Sequence, residues 1–217
     1  MSAPRAPDPP AHVPAGKLLR TLASAGAMAG LLIVVVWGWA SPIIAHNKAL
    51  ALQAAIQEVL KQPERCDTLY VVRGALSVTP PSGTDLKTVE RVYLGYGPDG
   101  RRVGFAVVAG EPGFQDVVRL IFGYDAATHQ LIGMKVLESK ETPGLGDKIE
   151  KDSSFVGQFR TALAPLVGVK PERRQPGDRH QVDMITGATI SSRAVIRIIN
   201  NALARLGPML EAYSEAQ

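Results

Sequence analysis

The chain has 217 residues, enough for one sizeable domain with an appendage but not for a second enzyme domain. Its 24 basic and 20 acidic residues give a formal net charge of +4 without a block of like charge, so no nucleic-acid partner is expected. Cys66 is the single cysteine, which excludes an intrachain disulfide, a Cys-x-x-Cys redox pair and a thiolate-ligated cluster. The four histidines lack the spacing of ligands, so no metal site is predicted.

The N-terminal region predicts a short tail followed by one membrane span. Residues 1–20 open with a Pro- and Ala-rich stretch and are expected to form a disordered cytoplasmic tail. Residues 21–45 carry no charge, and this run exceeds the roughly 20 residues that a helix needs to cross a bilayer. Arg5, Lys17 and Arg20 precede it, so the positive-inside tendency keeps the N-terminus in the cytoplasm. A cleaved signal peptide is the competing interpretation, although its apolar segment usually has only about 7 to 15 residues.

Residues 46–217 are predicted to form an extracytoplasmic α+β domain, with its core motif region at about 102–206. The stretch NKALALQAAIQEVLKQ predicts a stalk helix that Pro63 ends. Its domain-facing residues are expected to be Leu50, Ala54, Val59 and Leu60. Two strand pairs follow, in VERVYLGYGPDGRRVGFAVVAG and in VVRLIFGYDAATHQLIGMKVLES, and they predict a mainly antiparallel sheet.

Two helices are predicted to flank the sheet. The stretch SSFVGQFRTAL indicates a short helix with Ser153 or Ser154 as its cap. The last helix is expected to run from about Ser191 to Leu206, because Gly207 and Pro208 follow it. Its apolar face comprises Val195, Ile199, Ala202 and Leu206.

The spacing of Gly95, Gly97 and Gly100 matches G-x-G-x-x-G, the fingerprint of dinucleotide sites. That motif requires a helix N-terminus directly after the glycines to hold the pyrophosphate. Here a turn and a second strand are predicted to follow. We therefore expect no Rossmann-type nicotinamide site.

The stretch DMITGATISS places four hydroxyl side chains around a Gly-Ala pair just before the last helix, although one is enough for a cap. One interpretation is a helix start with surplus capping residues. The other is an anion site, because Gly187 permits close backbone approach and a helix N-terminus favours a phosphate. In that interpretation the Thr189 hydroxyl lies within reach of the phosphate and can be esterified.

The stretch ESKETPGLGDKIE has Pro143 and Gly144 as turn formers and presents Leu145 between two glycines. It is either an ordinary surface turn or a platform for a flat aromatic ligand. In the second case Leu145 covers a ring face, and Thr142 and nearby backbone groups bond its polar edge. We then expect Gly146→Val to crowd the ligand and leave the distant fold intact.

Together, ETPGLGDKI at 141–149 and the later DMITGATISS resemble the covalent FMN-binding domain of the G subunit of the Rnf electron-transport complex, and are similar to the C subunit of the sodium-pumping NADH:quinone oxidoreductase. In that family the threonine ending the pattern Asp-x-x-Ser/Thr-Gly-Ala-Thr carries FMN through a phosphoester bond, and that position is Thr189 here. The resemblance implies further cofactor-binding residues: Asp183, Thr186, Gly187 and Ala188 in the pattern, and Glu141, Thr142, Gly144, Leu145 and Gly146 along the isoalloxazine ring. Thr186, Ser191 and Ser192 would then cap the helix or bond the phosphate.

The resemblance implies an electron-transfer protein with no catalytic residues of its own, active only within a membrane-bound, ion-translocating ferredoxin:NAD+ oxidoreductase. Its expected partners are the other membrane and peripheral subunits and a flavin transferase that attaches FMN. Its expected location is the bacterial inner membrane, with the main domain in the periplasm. Two alternatives stay open. One is the FMN-bearing subunit of a sodium-pumping NADH:quinone oxidoreductase, which tends to be longer; the other is a non-enzymatic, membrane-anchored binding module.

Overall fold

The computed structural model describes residues 14–81, 83 and 88–215. The chain divides into two compact units, Met1–Ala49 and Leu50–Gln217. Among the described residues, α1 (Ala15–Val59) is the one helix long and apolar enough to cross a membrane, by length and composition. The predicted disordered tail is partly wrong, because residues 15–20 lie in α1; good helix formers follow Pro14 there. Residues 1–13 lie outside the described residues.

The second unit is built on an antiparallel sheet, which has six strands in the described part of the chain, in the order β2-β1-β3-β4-β5-β6. The strands are β1 (Arg65–Val72), β2 (Ala75–Ser77), β3 (Arg91–Tyr96), β4 (Arg102–Pro112), β5 (Val117–Asp125) and β6 (Gln130–Glu138). Both predicted strand pairs and the antiparallel sheet are confirmed. A strand also follows the three glycines of the G-x-G-x-x-G spacing, as predicted.

The C-terminal half adds helices and a small parallel sheet. These elements are α2 (Lys148–Lys151), α3 (Ser153–Gln158), β7 (Val167–Val169), a 3-10 turn (Pro171–Arg173), β8 (Gln181–Asp183) and α4 (Thr189–Glu215). Strands β7 and β8 pair in parallel, and the sequence patterns did not predict them. The cap of α3 is Asp152, not either serine, because its side chain accepts hydrogen bonds from the backbone N–H groups of Ser154 and Phe155.

Helix α4 is longer than predicted, since it continues through Gly207 and Pro208 to Glu215. A proline inside a helix costs about 3 kcal/mol. Leu206 before this point and Leu210 after it are both fully buried, and burying each leucine contributes about 1.5–3 kcal/mol. Core packing on both sides therefore offsets the local penalty.

One face of the sheet packs against α4. The four residues predicted for the apolar face of this helix are all buried, which confirms its orientation: Val195, Ile199, Ala202 and Leu206. They share a core with Leu120 and Phe122 of β5 and with Phe155 and Phe159 near α3. The alternation along β5 sends Ile121 to the opposite face, into a second cluster.

The second cluster is covered by the last turns of α1. Val59 and Leu60 are buried as predicted. Leu50 and Ala54 are exposed, and Ala55 and Ile56 are buried in their place. The apolar face of the stalk is therefore rotated from the predicted one. The helix also ends before Pro63, at Val59, because Lys61 and Gln62 adopt left-handed backbone, with φ of 56° and 61°.

Glycines in the sheet make room for the end of α1. A Cβ atom at Gly123 of β5 would lie 2.5 Å from the carbonyl oxygen of Val59, and one at Gly95 of β3 would lie 2.8 Å from Cδ1 of Leu60. Both distances are shorter than van der Waals contact. The sheet glycines thus form a notch that seats the helix end.

Gly123→Ala is therefore expected to destabilise the protein by about 1–3 kcal/mol, the usual cost of overpacking, because the new methyl group meets backbone rather than a movable side chain. Gly157→Ala is the matched control. A Cβ atom at this helical glycine has open space, so alanine should stabilise by about 0.5–1 kcal/mol. Thermal unfolding of the detergent-solubilised protein measures both; equal stability of Gly123→Ala and the parent would contradict the notch.

Candidate functional site

A pocket of about 380 Å³ lies where the loop after β6 meets the start of α4. It is lined by these predicted site residues: Glu141, Thr142, Leu145 and Gly146 from the loop, and Gly187, Ala188 and Thr189 from the helix start. The loop is held by a turn in which the Leu145 N–H donates to the Thr142 carbonyl oxygen, 3.1 Å away. Gly144 takes the left-handed conformation that this turn needs, with φ of 78°.

Three predicted residues do not line this pocket, namely Gly144, Thr186 and Asp183. Asp183 ends β8 and accepts a hydrogen bond from Arg174 Nη1 at 2.6 Å. Its backbone N–H donates to Oε1 of Gln158 at 2.7 Å. Asp183 therefore holds Arg174, from the loop before β8, and Gln158 of α3 against the strand that leads to the pocket.

The pocket is also lined by Ser191 and by two residues that the sequence did not predict for the site, Phe114 and Ile190. Phe114 lies in the turn between β4 and β5 and is 64% exposed, Ile190 is 54% exposed, and Leu145 beside them is 51% exposed. Large apolar side chains that stay exposed together mark a binding surface. A phenylalanine in the polar turn PGFQD was the sequence signal for this part of the site.

Thr189 is the first residue of α4 and is partly buried in the pocket wall. Its hydroxyl group has no hydrogen-bond partner among residues 14–81, 83 and 88–215. Ala188 stands before it, at the cap position, where it offers no side-chain acceptor to the first-turn N–H groups. Free N–H groups and the helix dipole make such an uncapped start suitable for an anion.

The expectation that Ser191 and Ser192 cap this helix is wrong. The Ser191 hydroxyl donates to Glu141 Oε2 at 2.6 Å. The Ser192 hydroxyl donates to the Ala188 carbonyl oxygen at 2.9 Å and accepts from the Ile185 N–H at 3.1 Å. Both serines are buried; Ser191 fastens the loop after β6 to the helix, and Ser192 fastens the segment that precedes α4.

Glu141 joins the segments that line the pocket. Its side chain is buried, and Oε1 accepts hydrogen bonds from the backbone N–H groups of Phe114 at 2.8 Å and Gln115 at 3.1 Å. Oε2 accepts from Ser191 on α4. Burial acts to raise the pKa of Glu141, but the hydrogen bonds from Ser191 and from these backbone N–H groups outweigh it, so the pKa lies below its usual value.

Gly146 is required by this network rather than by the open pocket. A Cβ atom there would lie 2.7 Å from Cβ of Glu141 and 3.0 Å from Oγ of Ser191. A side chain at Gly146 would therefore meet the buried Glu141 side chain before it reached a ligand.

Comparison with known proteins defines the class of this domain. Residues 113–204 match the FMN-binding domain family, and this segment contains the turn of Phe114, the loop after β6 and most of α4. The second unit therefore contains a segment of the FMN-binding domain family, at residues 113–204.

Relatives then identify the family of the whole chain. The chain is 31% identical over 190 residues to the G subunit of the ion-translocating oxidoreductase complex of Yersinia pestis, covering 84% of this chain and 85% of that protein. It is 28% identical over 194 residues to the protein of the same name from Methanosarcina acetivorans, covering 86% and 92%. The chain belongs to the family of G subunits of ion-translocating oxidoreductase complexes, which confirms the resemblance inferred from the two motifs.

Solved structures confirm the fold. The crystal structure of Shewanella oneidensis NqrC aligns with a TM-score of 0.61 at 17% identity, covering 77% of this chain and 99% of that one. The C subunit of the Na(+)-translocating NADH-quinone reductase from Parabacteroides distasonis aligns with a TM-score of 0.54 at 21% identity, covering 68% and 78%. At these identities the likeness concerns the fold alone.

Gly146→Ala is expected to lower the free energy of unfolding by about 1–3 kcal/mol even in protein that carries no ligand, because its methyl group overlaps the Glu141 side chain. Leu145→Ala is the neighbouring control. It truncates a half-exposed side chain of the same pocket and should change stability by no more than about 0.5 kcal/mol. Chemical unfolding of both variants decides the point, and a Gly146→Ala protein as stable as Leu145→Ala would show that the glycine serves only the open pocket.

Proposed function

We propose that the pocket holds one FMN, joined through a phosphoester bond to Thr189, and that the chain passes electrons one at a time within a Rnf-type ion-translocating oxidoreductase complex. One observation carries the proposal. A threonine hydroxyl with no hydrogen-bond partner among the described residues stands at an uncapped helix start, in the wall of a pocket whose other members include exposed apolar side chains. The first feature suits a phosphate ester, and the second suits a flat aromatic ring.

The dimensions and chemistry of the pocket fit this cofactor. Its volume of about 380 Å³ lies within the range of about 300–1,000 Å³ that is usual for small-molecule sites. Leu145, Phe114 and Ile190 offer apolar surface for a ring. Gly187, with φ of 83°, keeps the backbone open beside Thr189, where a side chain would stand close to a phosphate.

Each residue of the site would have a distinct role. Thr189 would carry the ester, with Gly187 and Ala188 leaving its phosphate accessible to the first-turn N–H groups. Glu141, Thr142, Leu145 and Gly146 would line the ring. Gly144, Thr186 and Asp183 would act through the conformation of the two segments that carry the site.

Attachment would require a second protein. A flavin transferase would bring an activated FMN donor, whose phosphate would lose its leaving group as the Thr189 oxygen loses its proton and forms the ester. The ester keeps one negative charge, which a helix N-terminus stabilises by about 0.3–1 kcal/mol. A cofactor held only by weak contacts could diffuse away outside the cytoplasm, and the covalent bond prevents this.

Bound FMN supplies the redox chemistry, while the protein supplies position and electrostatics. Within the complex, the family resemblance implies coupling of ferredoxin and NAD(H) chemistry to ion movement across the membrane. The other subunits would be the electron donor and acceptor of this one. The uncharged part of α1 and the basic residues before it support an inner-membrane anchor with the FMN-binding domain in the periplasm.

The FMN-bearing subunit of a sodium-pumping NADH:quinone oxidoreductase is the second candidate, supported by the shared fold. Identity favours the first candidate, since it reaches 31% with the Yersinia pestis relative but 21% or less with the two solved structures. The third interpretation, a binding module with a capping cluster, is disfavoured because neither Ser191 nor Ser192 caps α4.

Thr189→Val tests the ester directly, because it keeps the branched shape of the side chain and removes the nucleophile. In protein produced together with the flavin transferase, we expect Thr189→Val to lose the mass of one FMN completely. Thr186→Val is the matched control and should retain that mass at a lower yield. Intact mass and flavin fluorescence of the denatured protein provide the measurement. FMN mass retained in Thr189→Val would move the ester to another hydroxyl residue.

The orientation of the anchor is tested by reporter fusions after Gln217. A reporter that works only outside the cytoplasm should be active, because the basic residues before the span hold the N-terminus inside. A reporter that works only in the cytoplasm should be inactive at the same position. The reverse pattern would contradict both the orientation and the reason given for a covalent cofactor.

A further inference from the structure

We propose that the buried carboxylate of Glu141 lowers the reduction potential of the flavin by holding a fixed, unpaired negative charge in the wall of its pocket. The inference rests on the proposed function, because it takes this pocket as the flavin site. It assigns to Glu141 an electrostatic role beyond contact with the ring.

The charge of Glu141 has no cationic partner among the residues that the structure describes. The residue is 5% exposed, and within the part of the chain that the structure describes no Lys, Arg or His nitrogen lies within 4.0 Å of its carboxylate. The neighbouring Lys140 instead pairs with Asp116 at 2.7 Å, and its side chain is 82% exposed. Glu141 therefore contributes a full negative charge to the pocket wall.

The carboxylate is kept ionised and in place by neutral donors. Two backbone N–H groups of the β4–β5 turn and one hydroxyl group of α4 bind its oxygens, and these donors come from segments anchored in the sheet and in the helix. Hydrogen bonds of this kind stabilise the ionised form. Because the donors are fixed, Glu141 has no rotamer freedom with which to move its charge away from the pocket.

A negative charge at this place opposes the arrival of an electron in the pocket. The Coulomb energy between two charges rises as the surrounding dielectric constant falls, and salt screens a buried charge much less than an exposed one. The oxidised cofactor is therefore favoured over the reduced one more strongly than in a neutral pocket. The same reasoning predicts that acidic side chains exposed to water have little influence on the reduction potential of the flavin.

The test is a redox titration of the full-length protein carrying covalent flavin. Glu141→Gln keeps the shape and an acceptor oxygen for the two N–H groups but removes the charge. It should favour the reduced form at least tenfold, which raises the midpoint potential of a one-electron step by about 59 mV. Glu150→Gln is the matched control: it removes the same charge from an exposed position and should leave the potential unchanged.

Ser191→Ala separates charge from geometry. It removes the hydrogen bond to Oε2 but leaves the carboxylate, which the two backbone N–H groups still hold at Oε1, so any shift of its potential should be smaller than that in Glu141→Gln. An unchanged potential in flavin-loaded Glu141→Gln would overturn the proposal. So would a shift in Ser191→Ala as large as that in Glu141→Gln, because geometry would then explain both.

A second pair of variants tests the proposal if the Glu141→Gln protein does not retain flavin. Ile190→Lys adds a positive charge to the same wall, and it should raise the potential relative to Ile190→Gln, which adds none. Equal potentials in that pair would overturn the proposal. Absence of FMN mass from the parent protein would instead refute the proposed function, so the two failures are distinguishable.

Discussion

The hydrogen bonds to the buried carboxylate of Glu141 are the constraint on which the site depends. They connect the turn between β4 and β5, the loop after β6 and the first turn of α4, which are far apart in the sequence. A buried acceptor that loses its donor costs about 1–3 kcal/mol, and more when it is charged. This connection requires glycine at two nearby positions. A side chain at Gly146 would overlap Glu141 itself, and one at Gly113 would meet Glu141 and approach Cγ2 of Val118 to 2.8 Å.

The sheet gives this connection its rigidity, because the same strands serve both of its faces. Strand β5 begins directly after the Phe114 turn, β6 leads into the Glu141 loop, and both strands also carry glycines beside the last turn of α1. On the opposite face β5 packs against α4, whose first residue is Thr189, and β6 packs against α2 and α3. Sites supported on packed strands and helices are held more closely than sites on free loops. A carrier whose task is to hold a cofactor in one position needs this arrangement.

Much of the fold followed from local sequence patterns, because alternation and turn residues are local signals. The strand pairs around Pro98-Asp99-Gly100 and the apolar face of α4 belong to this group. The continuation of α4 through Pro208 did not follow, since it depends on the burial of Leu210 in a core formed by distant residues. Within the site, the two motifs could be recognised as segments from the sequence. Phe114 could not, because its place beside Glu141 arises from a contact that spans 27 residues of sequence.

At the uncapped start of α4, the stability of the helix and the proposed function favour different residues. A Ser, Thr, Asp or Asn at the position of Ala188 would stabilise the helix by about 0.5–2 kcal/mol. Three hydroxyl residues follow it within four positions, yet the two serines turn inward and Thr189 points at no partner in the described ranges. A capping side chain would occupy the N–H groups that a phosphate needs. Local rules that fail without a structural gain are typical of functional positions. The proposed ester at Thr189 would account for the missing cap, because its phosphate would bind the N–H groups that no side chain of the helix start accepts.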